Sequence, residues 1–163
     1  MNYHPLKCFL LAFTLSVAAS GSALADATVK VSLWDKGGTM DMTKSMGLGM
    51  GMHGKMKMAV MGIKTDKKTV PAGKVTFKVS NASKDVIHEM LVSPVATEDS
   101  VLAFVDAENR VDEDKSGDLG EVSELDPGKS GSLTLDLNPG FYILFCNVPG
   151  HYMAGMWTVL TVQ

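Results

Sequence analysis

Apolar and polar positions alternate in several short runs of the chain. From Thr28 to Trp34, Val29, Val31 and Leu33 fall on one face, the period-two pattern of a half-buried strand. Lys57 to Thr65 reads the same way with Met61 and Ile63 facing in, and Lys74 to Ser80 alternates through Val75, Phe77 and Val79. Further strands are predicted at Asp85 to Val92, at Ser130 to Leu137 through Leu133, Leu135 and Leu137, at Phe141 to Cys146 and at Met156 to Val162. Turn signals separate them: Pro71-Ala72-Gly73, Asn81-Ala82-Ser83, Asp126-Pro127-Gly128 and Asn138-Pro139-Gly140. No helix longer than a few turns and no repeat of fixed period emerges. The pattern predicts an all-β fold, an antiparallel β-sandwich with Greek-key connections.

The start of the chain departs from this pattern. Lys7 precedes an unbroken apolar run, Cys8 to Ala19, too short to span a bilayer as a helix. Ala23-Leu24-Ala25 then supplies the small residues of a cleavage site. Residues 1–25 therefore read as a secretory signal peptide rather than an anchor helix, and residues 26–163 as one domain. The expected location is a bacterial periplasm, without stable membrane insertion, and the expected state is a monomer.

Composition narrows the function. With 45% apolar and 20% charged residues, a packed core is expected. A net charge of -3 argues against a nucleic-acid partner. Charge is uneven: residues 26–84 carry eleven lysines against four acids, and residues 98–126 carry eleven acids against Arg110 and Lys115. The acidic stretch reads either as a solvated loop with a short helix near Ser100 to Asn109, or as a docking surface for a basic partner. Within it, Asp112-x-Asp114-x-Ser116-Gly117-Asp118 begins like an EF-hand loop, but the twelfth position is Ser123, so a structural loop is expected instead of a calcium site.

Residues 26–163 hold one cysteine, Cys146, and three histidines, His53, His88 and His151. A lone thiol in an oxidising compartment is either buried and inert or held by a metal. The segment Cys146-Asn147-Val148-Pro149-Gly150-His151-Tyr152-Met153-Ala154-Gly155-Met156 decides between them, because it sets a thiolate, an imidazole and a thioether on one short loop. Pro149-Gly150 turns the chain so that Cys146 and His151 converge, and Gly155 lets Met156 return. If the strand carrying His88 neighbours the strand ending at Cys146, the set becomes two imidazoles, one thiolate and a weak thioether, the ligand set of an electron-transfer copper site. Zinc fits less well, since methionine is not a usual zinc ligand.

This loop resembles that of the cupredoxins, the small blue copper proteins such as plastocyanin, pseudoazurin, azurin and rusticyanin. Its C-x4-H-x4-M spacing is closest to the rusticyanin-like branch, and the likeness extends over roughly Lys57 to Gln163. The resemblance implies a sandwich of about eight strands with one type 1 copper near one end. It also implies His88, Cys146 and His151 as strong ligands and Met156, rather than Met153, as the axial one. Glu89 stands where the family often has Asn or Ser, a residue that pins the ligand loops by hydrogen bonds. The resemblance further implies an exposed His151 ring edge, between Pro149 and Met153, as the electron port.

A second unusual segment runs from Met40 to Met61, with eight methionines, four glycines and one histidine. Met61 and Met58 suit a core. Met40 to Met52 offer no packing face, so residues 39–56 are expected to form an arm. Met40, Met42, Met46, Met50, Met52, His53 and Met56 then suit Cu(I); a plain linker is the alternative. Such arms resemble inserts of periplasmic copper-tolerance cupredoxins.

Two roles are compatible with these features: an electron carrier that meets a redox protein such as a cytochrome, and a copper-tolerance or delivery protein that meets copper-transport proteins. An independent enzyme is not expected beyond trace Cu(I) oxidation. Three histidines cannot supply the extra coppers of a multicopper oxidase, and one thiolate cannot build a binuclear site.

Overall fold

The computed structural model describes Met1 and residues 26–38, 41–42, 45–51 and 57–163. The proposed signal peptide lies outside the described residues, as do Met40, Met52, His53 and Met56 of the arm.

The strands are β1 (Ala27–Asp35), β2 (Met61–Thr65), β3 (Thr69–Val70), β4 (Gly73–Asn81), β5 (His88–Val95), β6 (Phe104–Val105), β7 (Arg110–Val111), β8 (Glu121–Leu125), β9 (Ser130–Leu137), β10 (Gly140–Phe145) and β11 (Trp157–Val162). Two sheets form the sandwich, in the orders β2-β1-β4-β9 and β3-β11-β10-β5-β8, so nine strands of the described residues build it. The chain crosses between sheets from β2 to β3, from β3 to β4, from β4 to β5, from β8 to β9 and from β9 to β10. Among the described residues no helix is long and apolar enough to cross a membrane.

The alternating strands behave as their patterns dictate. Val29, Val31 and Leu33 of β1 lie beside Phe77, Val79 and Asn81 of β4 in register, and the apolar members are 0–2% exposed. With Met61, Met90, Val92, Leu144 and Leu160 they form the core between the sheets. Two details differ from expectation. The sheets are mixed: β1 pairs with β4 in parallel, as does β3 with β11. Side-chain alternation reports only which face is buried and carries no information on strand direction. The predicted strand starts at Lys57 and Asp85 also move inward. Residues 57–58 form a 3-10 turn ahead of β2. Ser83 Oγ accepts from the Asp85 and Val86 N–H groups (3.2 and 2.9 Å), a local turn that delays β5 until His88.

The outer face of the second sheet is covered rather than wet. Leu91, Ile143, Phe145 and Trp157 pack there with Leu102, Val111, Tyr152 and, from the arm, Met50. This two-sided burial explains why β5 and β10 read as nearly continuous apolar runs.

The acidic stretch is folded. The helix expected near Ser100 to Asn109 is replaced by the β6–β7 hairpin, whose bend places Asn109 at φ +52°. The helix comes later, α1 (Glu113–Ser116). Asp112 caps it by accepting from the Lys115 N–H, and Gly117 ends it at φ +67°. The EF-hand-like spacing of Asp112 and Gly117 is thus the punctuation of a single helical turn.

Candidate metal centre

On β5, His88 shares a face with Met90 and Val92; on the β10 side, Cys146 shares one with Leu144 and Tyr142. All of these apolar neighbours belong to the core between the sheets. β5 and β10 are antiparallel, with Leu91 opposite Phe145, so the continued register sets Cys146 beside Met90, and His88, two residues along on the same face, lies diagonal to it. The β5–β8 ladder is irregular between His88 and Met90, where three steps along β8 answer two along β5. Such bulges re-aim side chains at the end of a sheet.

The loop after Cys146 closes on itself. The His151 N–H donates to Val148 O (3.0 Å), the Met156 N–H to His151 O (3.1 Å) and the Cys146 N–H to Met156 O (3.1 Å). Gly150 takes φ +86° at the turn, and an added Cβ there would lie 2.8 Å from Met42 O. A side chain at 150 is therefore excluded both by backbone conformation and by space.

These constraints bring His88, Cys146 and His151 together, with one ligand-type atom of each within 4.8 Å of the others. His88 Nδ1 lies 3.3 Å from His151 Nδ1, and Cys146 Sγ lies 3.3 Å from the same nitrogen. All three are buried, at 0%, 0% and 3% exposure. Burial pushes the Cys146 thiol up to about 12, and burial with the nearby His88 pulls His151 down to about 4. Burial also lowers His88, against the opposing pull of Asp35. Two neutral imidazoles and one soft sulfur facing a common point suit a copper ion. Met156, fully buried, packs in the same core as Cys146, whereas Met153 packs on the outer cluster with Tyr152. The loop therefore separates the two candidate thioethers onto different sides.

Glu89 does the pinning expected of an Asn or Ser at its position. Its Oε1 accepts from the Asn147 N–H (3.0 Å), and its own N–H donates to Cys146 Sγ (3.5 Å). Burial, with Glu124 and Glu121 nearby, pushes its carboxyl up to about 7. Asn147 extends the tie: its Oδ1 accepts from the Val111 N–H (2.7 Å) and its Nδ2 donates to Val111 O and Glu113 Oε1.

Asp35 is the residue sequence reasoning missed. It ends β1, and its Oδ2 lies 3.1 Å from His88 Nε2 with both side chains at most 2% exposed. Burial raises its carboxyl, but hydrogen bonds from Ser83, His88 and Gly37 outweigh that and hold it below the usual aspartate range.

Three expectations do not hold. His151 has no open ring edge, because at 3% exposure it is buried. The arm also has a packing face. Met50 is 3% exposed within the outer cluster, and Leu48 is 2% exposed. The arm is fastened along the loop: the Leu48 N–H donates to Met153 O (2.9 Å), the Met50 N–H to Tyr152 Oη (2.9 Å) and Trp157 Nε1 to Leu48 O (2.7 Å). Asn109 Nδ2 donates to Met42 O (2.7 Å), and Met42 packs beside the core that holds Cys146 and Met156. An irregular backbone has no period, so this packing leaves no trace in the alternation of residues. Met58, expected in the core, is instead exposed at 66%, and Met46 is exposed at 40%.

The copper binding proteins of the plastocyanin/azurin family match residues 50–163. No match is found among curated proteins. Rusticyanin from Thiobacillus ferrooxidans is similar in structure, with TM-score 0.54 and 15% identity over 83% of this chain and 76% of that one. Auracyanin B is similar with TM-score 0.50 and 21% identity over 84% and 88%. At these identities the likeness shows the fold, the β-sandwich of the cupredoxins. With the family match covering well over half its length, the chain belongs to the cupredoxins, the copper binding proteins of the plastocyanin/azurin family.

Proposed function

We propose that this protein is a one-electron carrier with a single type 1 copper, held by His88, Cys146 and His151 with Met156 as the weak axial ligand. The convergence of two imidazole nitrogens and one thiol sulfur within 4.8 Å, all buried, carries this reading. Copper supplies a one-electron couple when bound. The chain supplies soft and borderline donors already in place, ligand loops tied by Glu89 and Asn147, and a pocket that excludes water. A preset donor geometry needs little rearrangement on redox change, which favours rapid exchange with a partner such as a cytochrome.

Because the Cys146 thiol is held protonated through neutral pH, copper uptake expels its proton. Above the His151 value of about 4 no proton competes at that ring. Affinity for Cu(II) is therefore expected to rise roughly tenfold per pH unit between about pH 5 and 8. Chelator competition at several pH values checks it; a flat profile would contradict thiolate ligation.

We further propose export to the periplasm after removal of residues 1–25, residues 26–163 as the one domain, and a second role in copper tolerance, with Cu(I) captured on the arm. Exposed Met46 supports the second role, together with the Met40, Met52, His53 and Met56 that crowd the same segment. Met50 is set aside as a core residue. Deleting residues 39–56 is expected to keep the visible absorption of the Cu(II) protein while lowering Cu(I) bound per chain. A Cu(I) titration that stops at one per chain in the intact protein would leave the arm as a structural cover, and the protein as a carrier only.

A further inference from the structure

β1 alternates Val29, Val31 and Leu33 into the core, and the same face continues to Asp35. A carboxylate thus arrives where an apolar side chain is due. Buried carboxylates need partners, and this one has them: Oδ1 accepts from the Gly37 N–H (2.7 Å), Ser83 hydrogen-bonds to the side chain, and Oδ2 faces His88 Nε2 at 3.1 Å. An ionised carboxylate can only accept. The contact therefore requires the His88 proton on Nε2, which leaves Nδ1 bare on the side of Cys146 and His151.

We propose that Asp35 is a positioning residue of the metal centre, fixing the tautomer and orientation of His88 and, through its negative charge, favouring Cu(II) over Cu(I). This rests on His88 as a ligand. The oxidised ion carries one more positive charge than the reduced one, so a fixed anion behind a ligand ring stabilises it more. Because a partner of this kind also raises the basicity of the ring, both effects lower the reduction potential.

The test uses the full-length, copper-loaded protein with Asp35→Asn, which keeps shape and an acceptor but removes the charge, and Asp35→Ala, which removes both. Cu(II) affinity is expected to fall about 10- to 100-fold, with a smaller loss for Cu(I). Each tenfold difference between the two raises the potential by about 59 mV. Unchanged potentials in both variants, with the visible band retained, overturn the proposal. A measurement on the unaltered protein stands beside these. In the diamagnetic Cu(I) form, nitrogen-15 NMR is expected to show the His88 ring proton on Nε2, shifted downfield by its hydrogen bond. A proton on Nδ1, or one shifted no further than in a free imidazole, overturns the proposal. Failure of the ligand reading itself looks different: His88→Gly would then leave the spectrum of the loaded protein as it was, whatever Asp35 does.

Discussion

Cys146→Ala protein is expected to take up Cu(II) without any intense visible band and with an affinity lower by orders of magnitude. That band requires charge transfer from a sulfur anion bound to the oxidised ion. Residues 26–163 contain no second cysteine to replace it, since Cys8 lies in the proposed leader. Met156 is a thioether and cannot substitute, because its sulfur is neutral and a weak donor. The fold should survive, as the sulfur is fully buried beside small and apolar neighbours and alanine leaves only a small void. The pH dependence of copper affinity should flatten in the same variant, because the proton expelled on binding belongs to this thiol. Absorption spectroscopy and chelator competition on one preparation measure both effects. A band of wild-type intensity in Cys146→Ala would remove the thiolate from the proposed ligand set.

Phe77→Ala should be the counterpart: a large loss of stability with the colour unchanged. Phe77 is fully buried at the middle of β4, between Val29 on one side and Leu133 on the other. Its ring bridges both flanking strands and fills the space between the sheets, away from the end where His88 and Cys146 meet. Deleting such a ring typically costs about 3–5 kcal/mol, a large share of the ~5–15 kcal/mol that holds a domain of this kind together. Urea unfolding should show a lower midpoint at an unchanged slope. The folded fraction, loaded with copper, should keep the wild-type spectrum. A shift of under about 1 kcal/mol would mean that the sandwich collapses around the void, and that its centre is less rigid than full burial implies.

Legibility in the sequence followed physical period. β1, β4 and β9 were readable because each turns one face to the core, and alternation is the direct record of one-sided burial, while β10 and β11 were readable as short apolar-rich runs beside turn signals. The ligand loop was readable because its chemistry is compact: Cys146, His151 and Met156 sit within one turn of chain. β8 was missed, since Glu121-Val122-Ser123-Glu124-Leu125 presents a single buried apolar residue, Val122, at an edge. Strand direction was invisible for the reason given by β1 and β4: a parallel neighbour and an antiparallel one bury the same side chains. Asp35 was hidden by its own chemistry, because an acid at the end of an apolar strand reads as the first solvated turn residue. The arm was misjudged for lack of period. Met50 is held by the bond its N–H donates to Tyr152, and Leu48 by the bond its carbonyl accepts from Trp157, both partners more than a hundred residues away in the chain.

The contact between Trp157 and Leu48 has a practical corollary. An indole whose N–H donates to a buried carbonyl at 2.7 Å emits differently from one that donates to water. Detachment of the arm would hydrate this donor at the foot of the ligand loop, so the molecule carries its own fluorescent reporter of whether the strap over its copper end is fastened or loose.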